Sequence, residues 1–158
     1  MASVALTSAQ AIDNAGQVAV STSSRSHGKV IGAPRRWLRI EGATLLTGSL
    51  IAYSTTNQAW WLVPLTILVP DLSMAGYLGG KRVGAQIYNL AHTTPIPAAV
   101  VGFGWWQDKS LAAALGLVWL AHIGIDRLLG YGLKYDDHFQ HTHLGLLGAH
   151  AKGSEAAA

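Results

Sequence analysis

Asp71, His92, His122 and Asp126 each interrupt a stretch otherwise apolar enough to cross a membrane, and Glu41 and Asn89 share that setting. A charge or unpaired imidazole at the centre of a bilayer costs roughly 2.5–3.5 kcal/mol on insertion scales, so such residues turn toward a bundle interior and mark a site. Two imidazoles and two carboxylates suit a divalent zinc, iron or manganese ion. The chain has no cysteine, so any ligands must be nitrogen or oxygen. His122 and Asp126 are four apart and can bind from one helix face; Asn89 and His92, three apart, project together likewise. The metal candidates are His92, His122 and Asp126, with His143 able to swing in from the C-terminal tail. Such an ion lowers the pKa of a bound water toward about 7 and supports hydrolysis of a lipid-borne or amphipathic substrate. Asp71 or Glu41 is the candidate catalytic base. Arg127 and Lys134 could hold an anionic head group, and Asn89 and Tyr131 complete the candidate substrate site.

Two other readings use the same residues. Asp, His and Glu stepped along a bundle interior are also a proton relay, so a proton-coupled small-solute transporter is the alternative to an enzyme. A purely structural network, in which Asp126 pairs with Arg127 and His122 with Asp71, is the third.

The elements that must position these groups follow from composition. Half of the 158 residues are hydrophobic and 12% are charged, about half the usual soluble share. The formal charge of +3 is spread beside hydrophobic stretches without a continuous basic stripe, which argues against nucleic acid as a partner. A hydrocarbon core of about 30 Å needs about 20 apolar residues, and spans 38–55, 59–79, 83–104 and 110–130 meet that need. Short polar or glycine-containing connectors divide them at 54–58, 79–82 and 107–109. Trp60-Trp61 and Trp105-Trp106 fall at one interface and Trp37 at the other. Lys and Arg cluster before span one, at Lys81-Arg82 and after span four, which puts both termini on the cytoplasmic side of the inner (plasma) membrane. The expectation is an all-α, antiparallel, up-down four-helix membrane bundle over 37–146. Unfolded tails are expected at 1–36 and 147–158. The lipid bilayer is the expected partner, with a homodimer possible through small-residue faces at Gly76, Gly80, Gly84 and Gly124.

Counting at 1.5 Å per residue, Asp71 lies about 18 Å from the outer start of span two and His92 about 14 Å from the inner start of span three. His122 and Asp126 lie about 18 and 24 Å from the outer start of span four, and Glu41 about 5 Å from the inner end of span one. All fall in the middle-to-cytoplasmic half. Pro95 and Pro97 free the Ala91 and Thr93 carbonyls beside His92.

Several motifs recur in order: Pro70-Asp71-Leu72-Ser73, Gly84-Ala85-Gln86-Ile87-Tyr88-Asn89-Leu90-Ala91-His92, Ala121-His122-Ile123-Gly124-Ile125-Asp126-Arg127 and Thr142-His143-Leu144-Gly145. On these the chain resembles, from about 37 to 146, a family of small, mostly bacterial four-span integral membrane proteins known as a domain of unknown function. The resemblance implies an integral membrane protein and supplies no activity, substrate or ligand.

Overall fold

The computed structural model describes residues 30, 32–136 and 141–146. Apart from Val30 and residues 32–36, the tails expected at 1–36 and 147–158 lie outside the described residues. The chain runs through α1 (Ala33–Ser54), α2 (Leu62–Thr66), a 3-10 helix (Val69–Gly79), α3 (Lys81–Ala91), α4 (Pro95–Trp106) and α5 (Ser110–Leu129). A two-residue hairpin, β1 (His141–Thr142) with β2 (Gly145–Leu146), follows. The fold is therefore all-α with a small β appendage.

Proline decides where the segments break. The stretch expected as one helix over 59–79 is a short α-helix followed by a 3-10 helix with Pro70 in its first turn. The stretch over 83–104 is split at 92–94, because Pro95 and Pro97 open α4 and cannot donate back into α3. The expected connectors are turns: Asn57 and Asp108 take positive φ, which Asn and Asp tolerate best, and Gly80 does so at φ +107°. Gly80 has open space where a side chain would stand, so its role is conformational rather than packing.

The helices pair antiparallel. Arg39 Nε donates to Leu128 O at one end of α1, and Gln58 just beyond the other end reaches Ser110 at the start of α5. A Cβ on Gly42 or Gly124 would fall 2.6–2.9 Å from backbone atoms of the facing helix, so these glycines set the α1–α5 crossing. Gly104 against Ala113 and Gly116 against Val101 do the same for α4–α5. Gly84 against the Tyr77 ring and Gly76 against Ile87 seat the 3-10 helix on α3. The apolar core of Tyr53, Val101, Ala114, Leu117 and Val118 fills the end near the Trp-bearing turns, and the titratable residues of α5, His122, Asp126 and Arg127, all lie in its other half.

Leu62–Gly79 and Ser110–Leu129 are long and apolar enough to cross a membrane, with mean hydropathy 1.4 and 1.5. Large apolar side chains stand outward, Leu72 73% and Leu78 93% exposed. At its C-terminus α5 closes on Gly130 at φ +91°: Gly130 N–H bonds Arg127 O and Tyr131 N–H bonds Asp126 O at 2.7 Å. This Schellman turn directs the chain back over the polar end of the bundle.

Candidate metal centre

His92 ends α3. Its backbone N–H and its ring Nδ1 both reach Tyr88 O, at 2.9 and 2.8 Å. A carbonyl only accepts, so Nδ1 carries the hydrogen and a neutral His92 points the lone pair of Nε2 inward. Its ring stacks on Tyr88, centroids 3.8 Å apart at 13°. His122, from the middle of α5, is equally buried, at 3% exposure against 4% for His92.

These two nitrogens and two carboxylate oxygens converge. His122 Nε2 lies 3.2 Å from His92 Nε2. Asp71 Oδ1 is 3.4 Å from His92 Nε2 and 3.5 Å from His122 Nε2, and Asp126 Oδ2 is 3.5 and 3.6 Å from the same atoms. All four ligand atoms lie within 4.8 Å of one another, and the group could bind a metal ion. A tetrahedral ion with bonds of about 2.0–2.2 Å places its ligand atoms roughly 3.3–3.6 Å apart, about 1.63 times the bond length. The separations found here fall on or beside that range.

The other candidates stand elsewhere. Glu41 is exposed on α1 and gives no atom to the group. The buried face of α1 carries Gly42, Ser49 and Tyr53, and Glu41 precedes it by one residue, about 100° of helix turn. Asn89 is spent as a clamp: its Nδ2 donates to Lys134 O at 2.8 Å while its Oδ1 accepts from Lys134 N–H at 2.7 Å. Both polar atoms of the Asn89 side chain are thus engaged by the chain after α5.

Lys134, held by that clamp, is 4% exposed, and its Nζ sits 4.2 Å over the Tyr88 ring and 5.3 Å from that of Tyr77. Burial pulls its pKa down to about 8, against the opposing pull of Asp71 and Asp126. His143 is no member of the ligand group. Its Nδ1 accepts the Leu133 N–H at 2.9 Å, so in a neutral ring Nε2 carries the hydrogen and offers no lone pair. Burial holds its pKa below the usual histidine value. Gly132 makes room for it, since a Cβ there would fall 2.5 Å from His143 Nδ1. His143, Arg127 and Tyr131 line a cavity of ≈ 10 Å³ together with His92 and Asp126, room for about one water.

Of the two carbonyls freed by proline, Ala91 O does not face the site; Trp119 Nε1 donates to it at 2.6 Å. No motif or spacing in the sequence marks Trp119 for this bond. Its signal was position: it lies inside span four and three residues before His122, whereas the other Trp residues sit at span ends.

A family profile matches residues 35–147, and the chain belongs to that family, described as a domain of unknown function (DUF4260). No curated protein and no solved structure matches.

Proposed function

We propose that this member of a family without assigned activity is a multi-pass membrane enzyme in which His92, His122 and Asp126 hold a divalent ion and Asp71 is the base for hydrolysis of an amphipathic substrate. The observation that carries the reading is the convergence of four ligand atoms within 4.8 Å, the five separations that involve a histidine nitrogen being 3.2–3.6 Å. An octahedral ion with bonds of about 2.1 Å would want neighbouring ligands roughly 3.0 Å apart, so zinc in a tetrahedral setting is the better match. A zinc ion supplies Lewis acidity and a water whose pKa is lowered toward about 7.

Three protein ligands with an open fourth position are the pattern of catalytic zinc. Asp71 is the ligand best placed to leave that position. Its side chain is 33% exposed against 14% for Asp126 and 4% for either histidine, and it rides on the 3-10 helix rather than on α5. There it can take a proton from water and return it to a leaving group. Lys134 and Arg127 add positive charge at the same end of the bundle, which favours an anionic head group. The exposed apolar side chains and the two membrane-length helices support insertion, with the site in the cytoplasmic half and both termini cytoplasmic.

Purification in mild detergent and elemental analysis test this. About one metal ion per chain is expected in the wild type and in Asp71→Asn, and none in His122→Ala or Asp126→Asn. A wild-type protein without metal after growth in zinc-supplemented medium would overturn the enzyme reading and leave proton conduction, measurable as flux in liposomes, or a structural network.

A further inference from the structure

Beside the metal group runs an apolar groove of ≈ 560 Å³, with Thr66, Val69, Pro70, Ala91, Leu115 and Trp119 among its lining residues. Its volume falls within the range of ligand pockets, about 300–1,000 Å³. Its position ties it to the site. Pro70 and Ala91 are the chain neighbours of Asp71 and His92, and Trp119 precedes His122 by about 4.5 Å of helix rise. Leu115 lies about 6 Å further from the histidine along α5. The groove thus comes within one residue of Asp71 and of His92 and runs from there along α5, away from His122. Its rim is continuous with outward-facing Leu65, Leu68 and Leu72, 63%, 65% and 73% exposed.

The polar groups of the wall are informative. Thr66 Oγ1 donates to Leu62 O and Trp119 Nε1 to Ala91 O. Ser73 also lines the groove, and its Oγ is buried with no hydrogen-bond partner among the described residues. A buried hydroxyl left unmatched costs about 1–3 kcal/mol, so rotation of Ser73 toward an acceptor brought in by a ligand would be favoured.

We propose that this groove holds the single hydrocarbon chain of the substrate, whose carbonyl then lies at the Asp71–His92 edge of the metal group; the substrate class is a single-chain acyl ester or amide. This rests on the metal-enzyme reading above. A chain entering from the side, over the exposed leucines, never leaves an apolar medium. The reaction balances as hydrolysis: the oxygen of water bonds to the acyl carbon, the bond from that carbon to the ester oxygen or amide nitrogen breaks, Asp71 carries the proton from water to the departing group, and a fatty acid is released.

The test uses the full chain in lipid nanodiscs, loaded with cobalt(II) in place of zinc and titrated with alkyl hydroxamates of two to sixteen carbons. Hydroxamates ligate the metal directly, and the visible bands of cobalt report it. Affinity is expected to rise at least tenfold from the shortest to the long chains in the wild type. Leu115→Trp, which fills the groove, should keep the cobalt bands and the response to acetohydroxamate while losing most of that rise. The variant also separates groove binding from simple partitioning into lipid. An equal chain-length dependence in both proteins would overturn the groove and leave the metal centre standing. Absence of cobalt bands would overturn the metal reading, and the groove is then decided by photolabelling with a fatty acid carrying a mid-chain diazirine. Label concentrated on Val69 and Leu115 supports it; label spread over Leu78 and Trp106 rejects it.

Discussion

Asn89→Leu probes the clamp that holds the chain after α5 over the site. The substitution keeps the side chain's approximate volume and removes both hydrogen bonds to the Lys134 backbone, at 2.7 and 2.8 Å. Each is worth about 0.5–1.5 kcal/mol net. Lys134 is buried, so its freed N–H and C=O would not both find water in place. Together these give a loss of about 2 kcal/mol, the opening of the 130–135 segment becoming roughly 30-fold more probable, since each 1.4 kcal/mol is a factor of ten. Native-state hydrogen exchange read by mass spectrometry or NMR should show the Lys134 amide exchanging about 30-fold faster. The buried amides of Ala113 and Val118, in the apolar core end of α5, should change far less. The melting temperature in detergent should fall by roughly 5–10 °C if this segment opens with the whole domain. An unchanged Lys134 amide, whatever the melting temperature does, would refute the clamp, because that N–H is the group bonded to Asn89 Oδ1.

The remaining predictions concern the metal, the helix crossing and the buried lysine. Zinc at a hundred times its dissociation constant should raise stability by about 2.7 kcal/mol in the wild type and not in His92→Ala, read as denaturation midpoints with and without chelator. Gly124→Ala should cost about 1–3 kcal/mol, because its Cβ would fall 2.6 Å from Leu46 N and 2.9 Å from Gly42 O, neither of which can rotate away; an unaltered midpoint would show that the helices sit farther apart. In chelator-treated protein, Lys134 is charged in both folded and unfolded chains below about pH 8, so the cost of burying it is present in full there. Between about 8 and the ordinary value of 10.5 the unfolded chain keeps a proton that the folded chain has released, so stability should rise with pH across that window. Lys134→Met should flatten this rise, and a wild-type profile already flat would contradict the burial. Trp119→Phe should lower zinc affinity about tenfold, the usual effect of losing an outer support, measured by competition with a chromophoric chelator.

Much of this was legible in the sequence because a membrane-length apolar run makes every polar residue conspicuous. Asp71, His92, His122 and Asp126 could be expected together from depth and phase alone, and the structure brings their ligand atoms within 4.8 Å. The turns were equally legible, since Asn57, Gly80 and Asp108 are the residue types that accept positive φ. The exposed position of Glu41 was not legible because depth does not specify azimuth, and its neighbour Gly42 is among the residues that α1 buries. The engagements of Asn89 and His143 were hidden for another reason: their partners are backbone groups, Lys134 lying 45 residues from Asn89 and Leu133 ten from His143. Hydrogen bonds to a distant main chain leave no periodicity and no motif. The 3-10 winding of Val69–Gly79 was likewise hidden, because its apolar composition suits an α-helix as well.

The break at 92–94 connects fold and site more closely than either proline alone suggests. Residue 95 is proline, so Ala91 O has no helical donor four residues on, and that vacancy is what Trp119 Nε1 fills at 2.6 Å. Ala91 precedes His92 by one residue, and Trp119 precedes His122 by three. The bond therefore fixes α3 against α5 within a residue or so of each imidazole. On the other side of the same break, His92 has left helical geometry, at φ −107° and ψ 14°, yet its N–H and Nδ1 both still bond Tyr88 O. One broken turn thus sets the axial register of the two histidines and the tautomer of one. Both are conditions for two Nε2 atoms to stand 3.2 Å apart, within reach of a shared ion. A residue other than proline at 95, in a helix continuous through 83–104, would satisfy Ala91 O internally, release Trp119, and leave the imidazoles no common reference.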